Sequence, residues 1–230
     1  MNTTTFDTWL VNGNITIFCG SHTDSFKKDI LASCLYGELL AAQKSSNRAV
    51  SWPVYTDFVQ KIGWAVNSRS TQHLAFENSS LLNAIEQSTG NSLPQDERQS
   101  LTHAFAQLLI LEPDSPAIRT FLKKLETNAI EIKKADTEAA ASTATLLTII
   151  RNDKNVVTQQ LAFETSNELA IDILDQPVLS ASNDQRTNCW QLCSSLDEHQ
   201  YNRVRDDILK KLGNKMKTEL LHLSASAGLD

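Results

Sequence analysis

The stretch from Thr143 to Thr165 constrains the fold most. Thr143 to Ile150 (TATLLTII) is β-branched and apolar on both faces, the pattern of a strand covered on both sides. Asn152-Asp153-Lys154-Asn155 follows, a polar turn whose residues tolerate left-handed backbone. Val156 to Thr165 then returns, with Val157, Leu161 and Phe163 alternating against Thr158, Gln160 and Glu164. A hairpin of this kind belongs in the middle of a sheet, with other layers packed over it.

Further strands and helices can be read around it. Asn12-Gly13 between Trp9-Leu10-Val11 and Ile15 to Cys19 predicts a second hairpin. Phe26, Ile30, Leu31, Cys34, Leu35 and Leu39 recur at helical spacing, with Thr23, Asp24 or Ser25 to cap the start. After the polar loop Ser45 to Arg48, Trp52-Pro53 reads as the first turn of a helix that stops at Gly63. Trp64 opens a half-buried strand running through Leu74 and Phe76. Helices follow over residues 80–88, ending at Gly90, then after Ser92, Pro94 and Asp96, then from Pro116. Residues 167–186 read as a partly ordered excursion. Asn188 to Cys193 reads as a strand with Trp190 and Leu192 on one face and Cys189, Gln191 and Cys193 on the other. Asp197 to Leu212 is a helix, interrupted at Gly213 and continued through Met216, Leu220 and Leu221. The tail from Ser224 to Asp230 reads as frayed.

A near-repeat runs across this pattern. TQHLAFENS at Thr71–Ser79 returns as TQQLAFETS at Thr158–Ser166, with seven of nine positions identical. Asp96-Glu97-Arg98-Gln99 and Asp197-Glu198-His199-Gln200 form a second echo, in the same order. The offset grows from 87 residues at the first echo to 101 at the second, so the later half holds 14 more residues. The fold expected is one α/β domain of the α+β type over residues 1–230. Its mainly antiparallel sheet carries helical insertions, and its pseudo-twofold halves run roughly 8–127 and 128–223.

Composition narrows the function classes. The 230 residues are 41% hydrophobic and carry a formal charge of -6, with no domain-wide basic excess to hold nucleic acid. No apolar run reaches a membrane span and no basic-apolar leader opens the chain, so a cytoplasmic location or export without a classical signal peptide is expected. The seven glycines, at 13, 20, 37, 63, 90, 213 and 228, build no phosphate-binding loop, and no GxSxG elbow occurs. His22, His73, His103, His199 and His222 are scattered without metal-ligand spacing, so no metal is expected. Asp96-Glu97 and Asp197-Glu198 sit where a helix dipole wants negative charge.

Cysteine is the remaining chemistry. Cys19, Cys34, Cys189 and Cys193 are not at zinc-knuckle or redox spacing. On a strand, Cys189 and Cys193 share a face roughly 13 Å apart, too far for a disulfide. His22 lies three residues after Cys19; it reads as a surface-loop histidine beside a strand-end thiol or, since such partners meet in space and not in sequence, as half of a Cys-His pair. Cys34 falls on an apolar helical stripe. The late helix is basic at Arg203, Arg205, Lys210, Lys211, Lys215 and Lys217, with Tyr201, Val204, Ile208 and Leu212 opposite, a pattern that suits an anionic membrane surface as well as an ordinary packed helix.

Trp52-Pro53-Val54-Tyr55, Ile62-Gly63-Trp64 and the late Tyr201-x-x-Val204-Arg205-Asp206-x-Ile208-x-x-Lys211-Leu212 together resemble small bacterial proteins related to the virulence factor Evf. The resemblance implies an intertwined antiparallel sheet with helical insertions, and a fatty acyl chain attached to a cysteine. Cys193 and Cys189, late in the chain, are the attachment candidates it suggests. The expected function is a non-enzymatic bacterial host-interaction factor carrying or binding a fatty acyl chain, with no other cofactor and no catalytic residue assigned. The alternatives are a small cysteine-dependent acyl-transfer enzyme and a membrane-active module using the basic C-terminal helix.

Overall fold

The computed structural model describes residues 6–89, 93–132, 140–165, 169–181 and 187–223. In chain order the elements are β1 (Phe6–Val11), β2 (Asn14–Cys19), α1 (Asp24–Lys44), α2 (Arg48–Lys61), β3 (Trp64–Gln72), α3 (Leu81–Ser88), α4 (Gln95–Leu109) and α5 (Pro116–Asn128). They continue with β4 (Ile130–Ile132), β5 (Ala140–Ile150), β6 (Asn155–Thr165), a 3-10 turn (Ile171–Leu174), β7 (Leu179–Ser180) and β8 (Cys189–Leu196). The chain closes with α6 (Glu198–Asn202), α7 (Arg205–Leu212), α8 (Lys215–Thr218) and β9 (Leu220–Leu223).

One sheet organises the molecule, in the order β3-β8-β6-β5-β2-β1-β9, with β4 beside β5 and β7 beside β6. The β5–β6 hairpin lies at its centre, as its composition predicts, with Thr148 opposite Thr158 and Ile150 opposite Val156. Among the described residues the sole parallel pairing joins β2 to β5, Ile15 to Leu147 and Phe18 to Ile150. The chain is therefore an α/β protein with a mostly antiparallel sheet.

Helices cover both faces. On one side Ile15, Ile17, Leu147, Ile149, Leu161 and Phe163 pack under α3, α4 and α5, against Leu101, Phe105, Ile118 and Phe121. On the other Phe18, Leu146, Ile150, Val156 and Leu192 pack under α1 and α2, with Phe26, Ile30, Leu35, Tyr55 and Val59, and under Tyr201 and Ile208. Period-two alternation along the strands sends neighbouring residues to opposite cores. The helix starts are capped by short polar side chains: Thr23, Asn47, Ser80, Ser115 and Asp197 each accept from a backbone N–H of the first turn.

Two glycines set distances between layers. The Asn12-Gly13 turn has φ of 49° and 80°, as a tight two-residue hairpin requires. A Cβ on Gly13 would lie 2.5 Å from Lys124 Cβ and 2.7 Å from the Thr120 carbonyl oxygen, so α5 presses directly on the turn. A Cβ on Gly37 would lie 3.0 Å from the Tyr55 ring, and its absence lets α2 lie close along α1.

Four expectations are corrected. First, the structure does not show duplicated halves. The second copy of the repeat lies in the central strand β6, whereas the first leaves the edge strand β3 after Gln72 and crosses a loop. Leu74 and Phe76 therefore lie off the strand. Leu74 is instead held by Asn188, whose side-chain oxygen accepts from Leu74 N–H at 2.8 Å while its Nδ2 donates to the Leu74 carbonyl at 3.0 Å. Second, α2 begins at Arg48, because Asn47 caps it through Ala49 N–H at 2.9 Å; Pro53 lies inside the helix. Third, β3 is mostly exposed rather than half-buried. Fourth, the C-terminal helix breaks into α6, α7 and α8, and Leu220 and Leu221 belong to β9, paired with Val11 and Leu10. The expectations at Gly90 and Ser92, over 166–168 and 182–186, and in the 224–230 tail lie outside the described residues.

Candidate functional site

The four thiols differ sharply in environment. Cys189 and Cys193 lie on β8 as expected and share one face of it, opposite Leu161 and Val157 of β6. Cys189 is buried beneath α3, where Gln159 Nε2 donates to its Sγ at 3.4 Å and to the Ser88 hydroxyl. Burial pushes its pKa up. Burial likewise pushes Cys19 to about 11 and Cys34 to about 12. Tyr55 donates its hydroxyl to Cys34 Sγ at 3.6 Å deep under α1. Cys193 alone of the four is not buried. His22 does not reach the Cys19 thiol with its bonded nitrogen: Nε2 meets the Cys19 carbonyl oxygen at 2.9 Å, and the ring stacks on Phe26. The thiolate-plus-base geometry that activates a cysteine is not formed by this pair.

A dense polar constellation lies elsewhere among the described residues, and the sequence did not point to it. Glu38 of α1 is 1% exposed. Arg48 of α2 grips it with two parallel bonds, Nη1 to Oε2 and Nη2 to Oε1, each 3.0 Å. Asn14 of β2 donates to Oε2 at 2.8 Å, and Lys124 of α5 reaches the same oxygen at 3.2 Å. Arg48 Nε donates to Gln160 of β6 at 3.2 Å. Burial works against the carboxylate, but the charges of Arg48 and Lys124, with the hydrogen bonds of Arg48 and Asn14, outweigh it and bring its pKa down to about 2. Lys124 arrives past Gly13, which is why α5 must touch that turn. Three side chains, from β2, α2 and α5, thus converge on one carboxylate of α1, with Gln160 of β6 behind Arg48, and all five residues are buried.

The signal was present in the spacing. Glu38 falls on the buried stripe of α1, one turn beyond Cys34 and Leu35, where an apolar residue would continue the pattern. Lys124 likewise follows Phe121 on the buried face of α5. A charge on an apolar stripe asks for a partner, but nothing in the sequence says which one.

The other sequence candidates are structural. Asp197 caps α6, and Asp96 and Glu97 lie in the first turn of α4, where Glu97 pairs with Arg151 at 2.8 Å. Arg205 of the basic C-terminal segment makes a double bond pair with Asp29 of α1, at 2.8 and 2.6 Å. Lys211 lies over the Tyr36 ring, 5.6 Å from its centre. These contacts fix α7 on α1. Among the described residues no group of three or more His, Cys, Asp and Glu side chains could hold a metal ion, and no helix is long and apolar enough to cross a membrane.

Surface clefts of about 520, 420 and 390 Å³ lie beside α4, between α1 and α2, and between α4, α5 and β9, and none of these three is lined by a cysteine. No protein-family model matches the sequence, and no curated protein matches it. Fold and interior define a mixed α/β protein whose strongest polar cluster is sealed inside and whose accessible thiol is Cys193.

Proposed function

We propose that the chain is a non-enzymatic host-interaction factor of the Evf-like kind that carries a fatty acyl chain on Cys193. The contrast among the thiols supports this reading: Cys19, Cys34 and Cys189 are buried, their pKa values raised, and Cys193 is partly exposed. The same contrast favours Cys193 over Cys189 as the attachment point. A buried thiol held above neutral pH is a poor nucleophile, and the ionic cluster around Glu38 is closed to a substrate. Both features favour a binding protein over a catalyst.

Intact-mass spectrometry of the protein purified from bacteria, and again after incubation with palmitoyl-coenzyme A, tests the proposal. The expected result is one added acyl chain, removed by neutral hydroxylamine and absent from Cys193→Ser. An unmodified mass in both preparations overturns it.

A further inference from the structure

The outer surface of the α1–α2 hairpin carries a groove of about 420 Å³ whose walls include Leu40 and Lys44 from α1 and Val54, Asp57, Phe58 and Lys61 from α2. Its residues recur at helical spacing, so the groove runs along both helices. The apolar floor continues past its ends. Val50, one turn before Val54, is 48% exposed, one of two large hydrophobic residues so exposed among those described. Tyr36, one turn before Leu40, meets Phe58 edge-on with centres 5.0 Å apart, and Lys211 of α7 lies over the Tyr36 ring. The close helix contact at Gly37 brings Phe58 and Tyr55 over α1 and holds the two walls together.

Charge selects the occupant. Lys44, Lys61 and Lys211 surround this floor against one groove carboxylate, Asp57, which Lys61 already binds at 2.6 Å. Three lysines thus rim the floor on a chain of net charge -6. Apolar side chains between long lysines, whose stems lie along the surface while their ammonium groups reach outward, match the boundary between anionic headgroups and acyl chains. We propose that the α1–α2 face docks on an anionic membrane surface, with Val50, Val54, Leu40 and Phe58 entering the headgroup boundary and Lys44, Lys61 and Lys211 meeting its charge. The surface lies on the opposite side of the sheet from the face that Cys189 and Cys193 share, so it acts independently of any acyl group there.

The experiment uses the full chain carrying Cys193→Ser, so that a failure of acylation and a failure of docking are read separately. The protein is sedimented with vesicles of phosphatidylcholine alone or mixed with phosphatidylglycerol. Binding is expected to the mixed vesicles at low salt, weakened by added salt. Lys44→Glu with Lys61→Glu lowers partitioning at least about tenfold, since each lysine near a charged surface matters and each reversal adds repulsion. Val50→Asp, at an exposed position, also lowers it, with circular dichroism unchanged in all variants. Absence of the wild-type chain from the anionic pellet, or equal binding by the charge-reversed variant, overturns the proposal. Saturable uptake of monomeric laurate, or a dimer broken by Val50→Asp, in place of vesicle binding overturns it too.

Discussion

Arg48 holds Glu38 through two parallel N–H···O bonds of 3.0 Å, with both side chains at 4% exposure or less. The pair bridges the two helices of one hairpin, and Lys124, Asn14 and Gln160 tie it to the remaining layers. A buried pair of this kind adds little compared with a well-packed apolar one, but losing one partner leaves a charge stranded.

Glu38→Gln therefore destabilises the fold by about 3–5 kcal/mol, because Arg48 and Lys124 remain buried without their counter-charge. Glu38→Met with Arg48→Met is expected to cost less than either single change plus the other. Urea denaturation of the three variants measures this, and strict additivity would count against a coupled cluster.

The same carboxylate predicts an acid limb. Its folded pKa of about 2 lies below the ordinary 4.5. The stabilisation it contributes is complete above the unfolded value and disappears as pH falls from there toward 2. Stability measured against pH should drop through that window in the wild type and more shallowly in Glu38→Gln.

Thiol accessibility divides one against three. At mild alkaline pH, Cys193 is expected to react with iodoacetamide in the folded protein, and Cys19, Cys34 and Cys189 only after unfolding. Peptide mapping distinguishes them; rapid labelling of Cys189 would mean that α3 does not seal it.

Gly13→Ala places a methyl group against α5 at a positive φ. The strain and overlap should together lower stability by roughly 2–4 kcal/mol. The acid limb should shrink as well, since displacing α5 withdraws Lys124 from Glu38. A melt unchanged from wild type would contradict the close approach.

Asn188 stands between the two copies of the repeat. Its side chain pairs with both backbone groups of Leu74, and its carbonyl accepts from Ala162 N–H at 2.7 Å. Asn188→Ala leaves the Leu74 groups unpaired in a buried place, a loss of about 2–4 kcal/mol. Limited proteolysis should then cut within residues 73–79 faster than in the wild type.

The strands and helices were legible where one local signal stood alone. The β5–β6 hairpin followed from its β-branched run and turn, α1 from apolar spacing after a capping residue, and α5 from a proline in its first turn. Misreadings arose where two signals competed. Asn47 capped α2 and overrode the proline at 53. The apolar Leu220 and Leu221 fit a continued helix equally well, and only the free edge of β1 decides for a strand. The repeat gave no warning that one copy would be central and the other in a loop, because nine residues do not encode which neighbours flank them. The Glu38 cluster joins residues 14, 38, 48, 124 and 160. Periodicity can flag a misplaced charge; it cannot name a partner that far away.

The parallel pairing of β2 with β5 has a consequence for biosynthesis. Residues 15–18 leave the ribosome early, yet their partners are 147–150. Until β5 emerges, β2 has an open hydrogen-bonding edge, although the helices that will cover its two faces, α1 to α5, are already made. A nascent chain of this design folds late and slowly, and during that interval it is a natural client for a chaperone.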